Sequence, residues 1–412
     1  MRIVLLNQFF WPDAVATSQI LTDVACPLAE DHKITVICGG SGATIRNSLS
    51  VLGSGISVVR TKTFGLTHQK FGRIASYASY LMGAIWHGLL VQKPNIYVTL
   101  TTPPLLSIIG SVLSTLRGAR HVIWEMDVYP DIATDVCYLK KNGMIDRLAG
   151  AFLDWSRKRA DIIVVLGDDM KARLLARDIP DAKIRVVENW ADGVEITPLP
   201  FSNGPLVIQY SGNFGMAHES STITAVIERL QNHPDFKFVF VGGGSRRPPL
   251  MELCKSKGIR NVEFKEYCDR AHLGRSLSEG HLSLVTQLPA TVGSVVPSKI
   301  YGIMAAGRPL LYIGPDHSTP ARHIHRFDSG WHIQPGDIDG LEQLLLDLNE
   351  NRHLLAEAGA RARTAFDQSF DRPIGIARMI QVLEGKAPQV LEDAGLPSSE
   401  SAPTFNESPL KD

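Results

Sequence analysis

The chain has 412 residues, 44% hydrophobic and 20% charged, an ordinary globular balance with core enough for two or three domains. Forty-two basic residues stand against forty-two acidic ones, so no net field draws in a polyanion and nucleic acid is not expected as a partner. The five cysteines, Cys26, Cys38, Cys137, Cys254 and Cys268, are odd in number and free of CxxC spacing, which predicts reduced intracellular thiols without disulfide or zinc.

Short β-branched runs recur between helix-length segments, each too short and too continuous for an amphipathic helix, and they read as parallel strands. The first series is Ile3 to Leu6, Ile34 to Ile37, Ile56 to Val59, Ile96 to Leu100, His121 to Trp124, Ile162 to Leu166 and Ile184 to Val187. The N-terminus enters this pattern without a charged leader, which predicts a cytoplasmic protein. The loop Asn7-Gln-Phe-Phe-Trp-Pro-Asp13 follows the first strand, Thr99-Leu-Thr-Thr-Pro-Pro104 the fourth, and Trp124-Glu-Met-Asp-Val-Tyr-Pro-Asp131 the fifth. Carboxylates and aromatic rings at strand carboxyl ends suit a sugar, which stacks and accepts hydrogen bonds; capping of the loops by Asp13 and Asp127 is the alternative. Ile74 to Val91 lacks Asp, Glu, Lys and Arg. It is short for a span and reads either as a core helix or as one lying on the inner membrane face, with Lys70 and Arg73 at its entry.

Asn189 to Pro205, rich in Pro, Gly and Asn, marks a seam. The second strand series is Leu206 to Tyr210, Lys237 to Val241, Val262 to Phe264, Leu282 to Val285, Leu310 to Ile313 and Trp331 to Ile333. Two strand-helix series imply an α/β fold of two doubly wound domains. The expected divisions are 1–195, 196–370, a helical segment 371–385 after the break at Pro373, and a disordered tail 386–412.

Three loops of the second half carry anion chemistry. Tyr210-Ser-Gly-Asn-Phe-Gly-Met-Ala-His218 places Gly212, Asn213 and Gly215 where backbone can approach a phosphate or sugar, with His218 as a further contact; a plain strand-end turn is the alternative. Phe240-Val-Gly-Gly-Gly-Ser-Arg-Arg247 repeats the arrangement with Gly243 and Arg246. Val296-Pro-Ser-Lys299 opens a small-residue helix stopped by Gly307-Arg-Pro309, so Ser298 and Lys299 stand beside free N–H groups; an ordinary βαβ connection with a surface lysine is the alternative.

Taken together, Leu6-Asn-Gln-Phe-Phe-Trp-Pro-Asp13, Thr101-Thr-Pro-Pro104, Glu125-Met-Asp-Val-Tyr-Pro130, Val187-Glu-Asn-Trp190, Tyr210-Ser-Gly-Asn213, Val296-Pro-Ser-Lys299 and Met304-Ala-Ala-Gly-Arg-Pro309 resemble the retaining family 4 glycosyltransferases of GT-B fold. Among these the chain is most similar to bacterial colanic acid, capsule and O-antigen enzymes. The resemblance implies two Rossmann-like domains facing a cleft, with a nucleotide sugar, UDP- or GDP-linked, bound mainly by the second domain. It also implies a saccharide acceptor, lipid-linked, on the first domain, no required metal or cofactor, and a final helix crossing back to the first domain. Lys299, Ser298, Gly212, Asn213, Gly215, Gly243 and Arg246 are the donor-site candidates, and Asp127 is the candidate for orienting or deprotonating the acceptor hydroxyl. The family's Glu-x7-Glu pair aligns onto Ser294 and Gly302, so Ser294 joins the donor list while both carboxylates are missing. A sugar-nucleotide 2-epimerase of the same fold and a non-catalytic sugar-nucleotide-binding subunit remain as alternatives.

Overall fold

In the computed structural model, residues 1–13, 15–40, 55–64 and 70–386 are described, without the side chains of Lys70, Phe71 and Arg73. The tail expected from 386 onward and the basic entry to the apolar helix therefore fall largely outside the described residues. The first half contains β1 (Arg2–Leu6), α1 (Ala16–Asp31), β2 (Lys33–Gly39), β3 (Ile56–Thr61), α2 (Lys70–Leu90), β4 (Ile96–Thr99) and α3 (Leu106–Arg117). It continues with β5 (Arg120–Trp124), α4 (Asp131–Asp135), α5 (Met144–Arg159), β6 (Ile162–Val165), α6 (Asp168–Leu175) and β7 (Ile184–Val186). The second half has β8 (Leu206–Ser211), α7 (Ser221–Arg229), β9 (Phe236–Val241), α8 (Arg247–Lys257), β10 (Val262–Lys265), α9 (Leu273–Ser278) and β11 (Leu282–Thr286). It closes with α10 (Lys299–Ala305), β12 (Leu310–Ile313), α11 (Thr319–Phe327), β13 (Gly330–Ile333), α12 (Ile338–Glu350), α13 (His353–Ser369) and α14 (Arg372–Glu384). All thirteen expected strands form, each within one or two residues of its expected limits.

Every strand pairing is parallel, in the orders β3-β2-β1-β4-β5-β6-β7 and β10-β9-β8-β11-β12-β13. The fold class is thus two doubly wound α/β domains. Side chains alternate across the first sheet: Ile3 and Leu5 enter a core shared with Leu21 and Val24 of α1, while Val4 and Leu6 pack with Tyr80 of α2 and Leu113 of α3. Burying such a side chain is worth roughly 1.5–3 kcal/mol, and Leu5→Ala in this closed core would cost about 2–5 kcal/mol.

Strand order reverses between β1 and β4 and again between β8 and β11. At such a reversal the connecting helices leave on opposite faces of the sheet, which opens a crevice at the carboxyl ends of the strands. Four of the loops singled out by sequence, after β1, β4, β8 and β11, start at these two reversals, and the other two, after β5 and β9, start one strand further out.

The chain passes between the domains twice, side by side. Ala191 pairs with Asp371, the Arg372 amide donates to the Ala191 carbonyl at 2.9 Å, and Asp371 accepts from the Gly193 amide at 2.9 Å. From there α14 lies on α1, with Met379, Val382 and Leu383 in the first domain's core. Gly375 permits this return, because a β-carbon there would collide with the Trp190 ring.

Candidate active site

The second-domain wall is built by loops that touch through their backbones. The Phe214 amide donates to the Gly243 carbonyl at 2.7 Å, and the Arg246 amide donates to the Phe214 carbonyl at 2.9 Å. A β-carbon at Gly244 would strike the Phe214 backbone and one at Gly242 the Gly212 carbonyl. The glycine triplet is therefore needed for loop-to-loop packing at Gly242 and Gly244. Gly243 instead has its open side toward the Tyr267 ring, 3.5 Å from an added β-carbon.

Lys299, the first residue of α10, reaches into this wall. Its Nζ lies 3.6 Å from the centroid of the Tyr210 ring and close beside Gly212, whose φ of +127° keeps that side of the backbone free of a side chain. The ammonium is buried without a hydrogen-bond partner, and burial pushes its pKa well below the usual lysine range. The Arg246 Nε is likewise buried and unpartnered. Ser298 is exposed and makes no side-chain cap on α10. Asn213 uses its carbonyl to accept from the Tyr210 hydroxyl at 2.8 Å.

His218 does not point out as a ligand contact. Its Nε2 is 3.1 Å from the Tyr210 hydroxyl and its Nδ1 is 2.8 Å from the Thr286 carbonyl, so it ties two strand ends together. Burial, then the charges of Lys299 and Arg246, push its pKa down to about 3. The imidazole stays neutral at any physiological pH.

The opposite wall carries Asp127. Arg157 holds its loop from below, donating from Nε to Glu125 at 2.7 Å and from Nη2 to the Tyr129 carbonyl at 2.8 Å. Asp127 bridges to Val295, and the Val128 amide donates to the Ser294 carbonyl at 2.8 Å, so this loop meets the second domain directly. The residue is half-buried; burial and the neighbouring Glu125 charge push its pKa up to about 6. Asp13, by contrast, turns back to accept from the Phe10 amide at 3.2 Å and caps its own loop.

Ser294 is fully buried, and its hydroxyl donates to Asp135 across the domain boundary at 2.7 Å. That bond occupies it in domain contact rather than in the crevice. Gly302, aligned with the family's second Glu, faces Leu277 at 3.4 Å and Ile196 at 3.9 Å from an added β-carbon, with no carboxylate in its place. Sequence reasoning missed the domain contacts around Ser294. Asp169 accepts from the Thr319 amide at 3.1 Å and hydroxyl at 2.8 Å, and Arg173 donates to the Ala290 and Val292 carbonyls at 2.9 and 2.8 Å. His323 sits 3.0 Å from Glu188. No local pattern marks these partners, which lie more than a hundred residues apart. The exposed Tyr267 ring beside Gly242 was also missed, since a lone tyrosine after a strand has no signature.

Residues 195–365 match the family described as Glycosyl transferases group 1. The chain is 25% identical over 298 residues to the probable glycosyltransferase WbjE of Pseudomonas aeruginosa, covering 70% of this chain and 74% of the relative. It is 24% identical over 210 residues to the putative colanic acid biosynthesis glycosyl transferase WcaI of Escherichia coli K12, covering 48% and 51%. Among solved structures, Anabaena HepE in complex with UDP superposes with a TM-score of 0.71 at 13% identity, covering 93% of this chain and all of that one. WaaG, a glycosyltransferase involved in lipopolysaccharide biosynthesis, superposes at 0.66 with 15% identity, covering 93% and 100%. The second half of the chain thus matches the group 1 glycosyltransferases, the chain is similar to two glycosyltransferase relatives, and its double Rossmann architecture is the GT-B fold of its structural neighbours.

Proposed function

We propose that the protein moves a sugar from a nucleotide-sugar donor to a lipid-linked saccharide acceptor in surface-polysaccharide or lipopolysaccharide assembly, with retention at the anomeric carbon. The observation that carries the donor half is the pair of buried, unpartnered cationic donors, Lys299 Nζ and Arg246 Nε, beside the Gly212–Gly215 turn. A desolvated cation without a counter-charge is costly to keep, and a diphosphate supplies the missing charge. UDP and UDP-glucose complexes of the structurally similar HepE support that ligand class, and the names of WcaI and WaaG support the polysaccharide setting.

In this reading residues 196–370 hold the donor, residues 1–195 the acceptor, and residues 371–385 return to brace the first domain. The exposed Tyr267 ring offers a flat surface for the base. The bond from the anomeric carbon to the diphosphate breaks as the acceptor oxygen bonds that carbon, and Lys299, Arg246, Gly212, Asn213 and Gly215 stabilise the departing charge. The acceptor proton passes to the leaving phosphate or to Asp127, whose raised pKa suits transient protonation.

A panel of UDP-, GDP- and dTDP-sugars read by thermal shift identifies the donor. Incubation of that donor with lipid-linked saccharides then reads the reaction. Elongated acceptor supports the proposal; an isomerised donor sugar, or binding without turnover, overturns it.

A further inference from the structure

From Ile74 to Leu90 the outward stripe of α2 is apolar. Ile74, Ala78, Met82, Trp86 and Leu90 recur every fourth residue, and Trp86 is 63% exposed. A helix laid on a sheet normally turns its polar side to water. Beside it, α3 turns Leu116 outward, and α5 does the same with Met144, Leu148, Phe152 and Trp155. Because α3 packs against both α2 and α5, the three stripes lie side by side. Twelve of the 23 large hydrophobic residues exposed among the described residues belong to these three helices. They form one platform, about 30 Å long at the helical rise of α2, larger than the scattered apolar residues of an ordinary surface.

Charge is distributed to match. Residues 32–124 contain nine Lys or Arg and no Asp or Glu, which leaves 33 basic residues elsewhere in the chain against all 42 acidic ones. Lys93 just past α2, and Lys140, Lys141 and Arg147 around the start of α5, are exposed. The acidic residues of α5 are already engaged: Asp146 accepts from the Asn142 amide, and Asp154 from Arg157 and Arg177. Neutrality of the whole chain conceals this polarity.

We propose that the face formed by α2, α3 and α5 rests on an anionic lipid bilayer, with the apolar stripes at the acyl boundary and Lys93, Lys140, Lys141 and Arg147 at headgroup level. The helices lie on the surface, since no helix of the described residues is long and apolar enough to cross a membrane. The β4–α3 loop leads from the crevice to this face, and Leu105 at the start of α3 is itself exposed. An acceptor anchored in the bilayer would therefore meet the crevice at the platform's edge. The sequence pointed to α2 alone; α5 carries as much of the surface. This inference goes beyond the donor and acceptor reading and does not depend on it, because vesicle binding is measured without transfer.

The test is flotation of the full chain with phosphatidylcholine vesicles, with and without phosphatidylglycerol. Binding to the anionic vesicles that weakens with added salt is expected. Trp86→Ser combined with Phe152→Ser and Trp155→Ser should lower the bound fraction about tenfold with the thermal melt unchanged. Lys140→Glu with Lys141→Glu, fully on the surface, should lower it as well and flatten the salt dependence, which keeps the test intact if the triple variant misfolds. Lys299→Ala should float as the wild type does, separating failure of the donor site from failure of this surface. Absence of flotation with anionic vesicles, or flotation indifferent to both surface variants, overturns the proposal. A dimer in sedimentation that the triple variant dissociates would assign the face to a second copy of the chain instead.

Discussion

Lys299 Nζ stands 3.6 Å from the centroid of the Tyr210 ring, and this ring is the group facing an ammonium that has no hydrogen-bond acceptor. The ring's negative face holds the cation aimed beside Gly212 but leaves its charge uncompensated. The free protein therefore carries a site that is strained electrostatically and relieved by an anion.

Two outcomes follow for Lys299→Met. Donor affinity and transfer should fall by about 2–4 kcal/mol in combined effect, while the unliganded protein should melt at a higher temperature because an unpaired buried cation is gone. The linkage has a definite sign. A lysine whose folded pKa lies below its unfolded value makes the fold less stable at lower pH and more stable as pH rises toward the ordinary value. Nucleotide binding should then take up a proton at pH values below the ordinary lysine pKa, and not in Lys299→Met; calorimetry in buffers of different ionisation enthalpy measures it.

Asp127→Asn keeps size and hydrogen bonding while removing the ability to take a proton. Transfer should drop by roughly 10²–10⁴ with donor affinity unchanged on the same preparation. In the wild type, activity should rise as pH passes through about 6, where the carboxyl ionises, and that limb should vanish in the variant. Equal loss of donor affinity would make Asp127 part of the domain contact with Val295 rather than of the acceptor side.

Acid should destabilise the protein earlier than its carboxylates alone would. Burial pushes both His121 and His218 down to about 3, so the unfolded chain binds two more protons than the folded one between pH 6.5 and 3, and stability falls on acidification through that window. Asp127, raised from 3.8 to about 6, acts in the opposite direction over a narrower range. Two imidazoles outweigh it. Urea midpoints from pH 7 to 4 should decline, and less steeply in His121→Gln, compared with its own value at pH 7.

Asp169→Ala removes the acceptor of both the Thr319 amide and its hydroxyl at the start of α11. The loss should cost about 1–3 kcal/mol and loosen the domains, read as a larger radius in small-angle scattering. Asp169→Asn should recover part of the stability, since its amide oxygen can still accept one of the two bonds.

All thirteen strands rest on patterns that act locally: β-branched runs fill a two-sided sheet, and glycine or proline ends them. The crevice loops were legible for the same reason, because turn residues after a strand advertise themselves. The orientation of side chains was not. Ser294 and His218 occupy suggestive positions in the sequence, yet one bonds Asp135 and the other Tyr210 and Thr286. Those partners arrive only through packing between domains or between strand ends. The apolar face of α5 escaped notice because its exposed Met144, Phe152 and Trp155 are interleaved with charged residues, and hydrophobicity alone does not tell a core stripe from an outward one.

The return of α14 also affects synthesis. Met379, Val382 and Leu383, near the end of the described chain, fill the same core as Leu21 and Val24 from its beginning, and the Glu384 carboxylate sits 3.2 Å from His32. A ribosome releasing residues in order would expose the apolar side of α1 until the last helix emerges. A nascent first domain is thus an unfinished body awaiting its cover, vulnerable to proteases and to self-association throughout translation of the second. A fragment ending near residue 195 should behave like that intermediate, while one carrying α14 on a short tether should not.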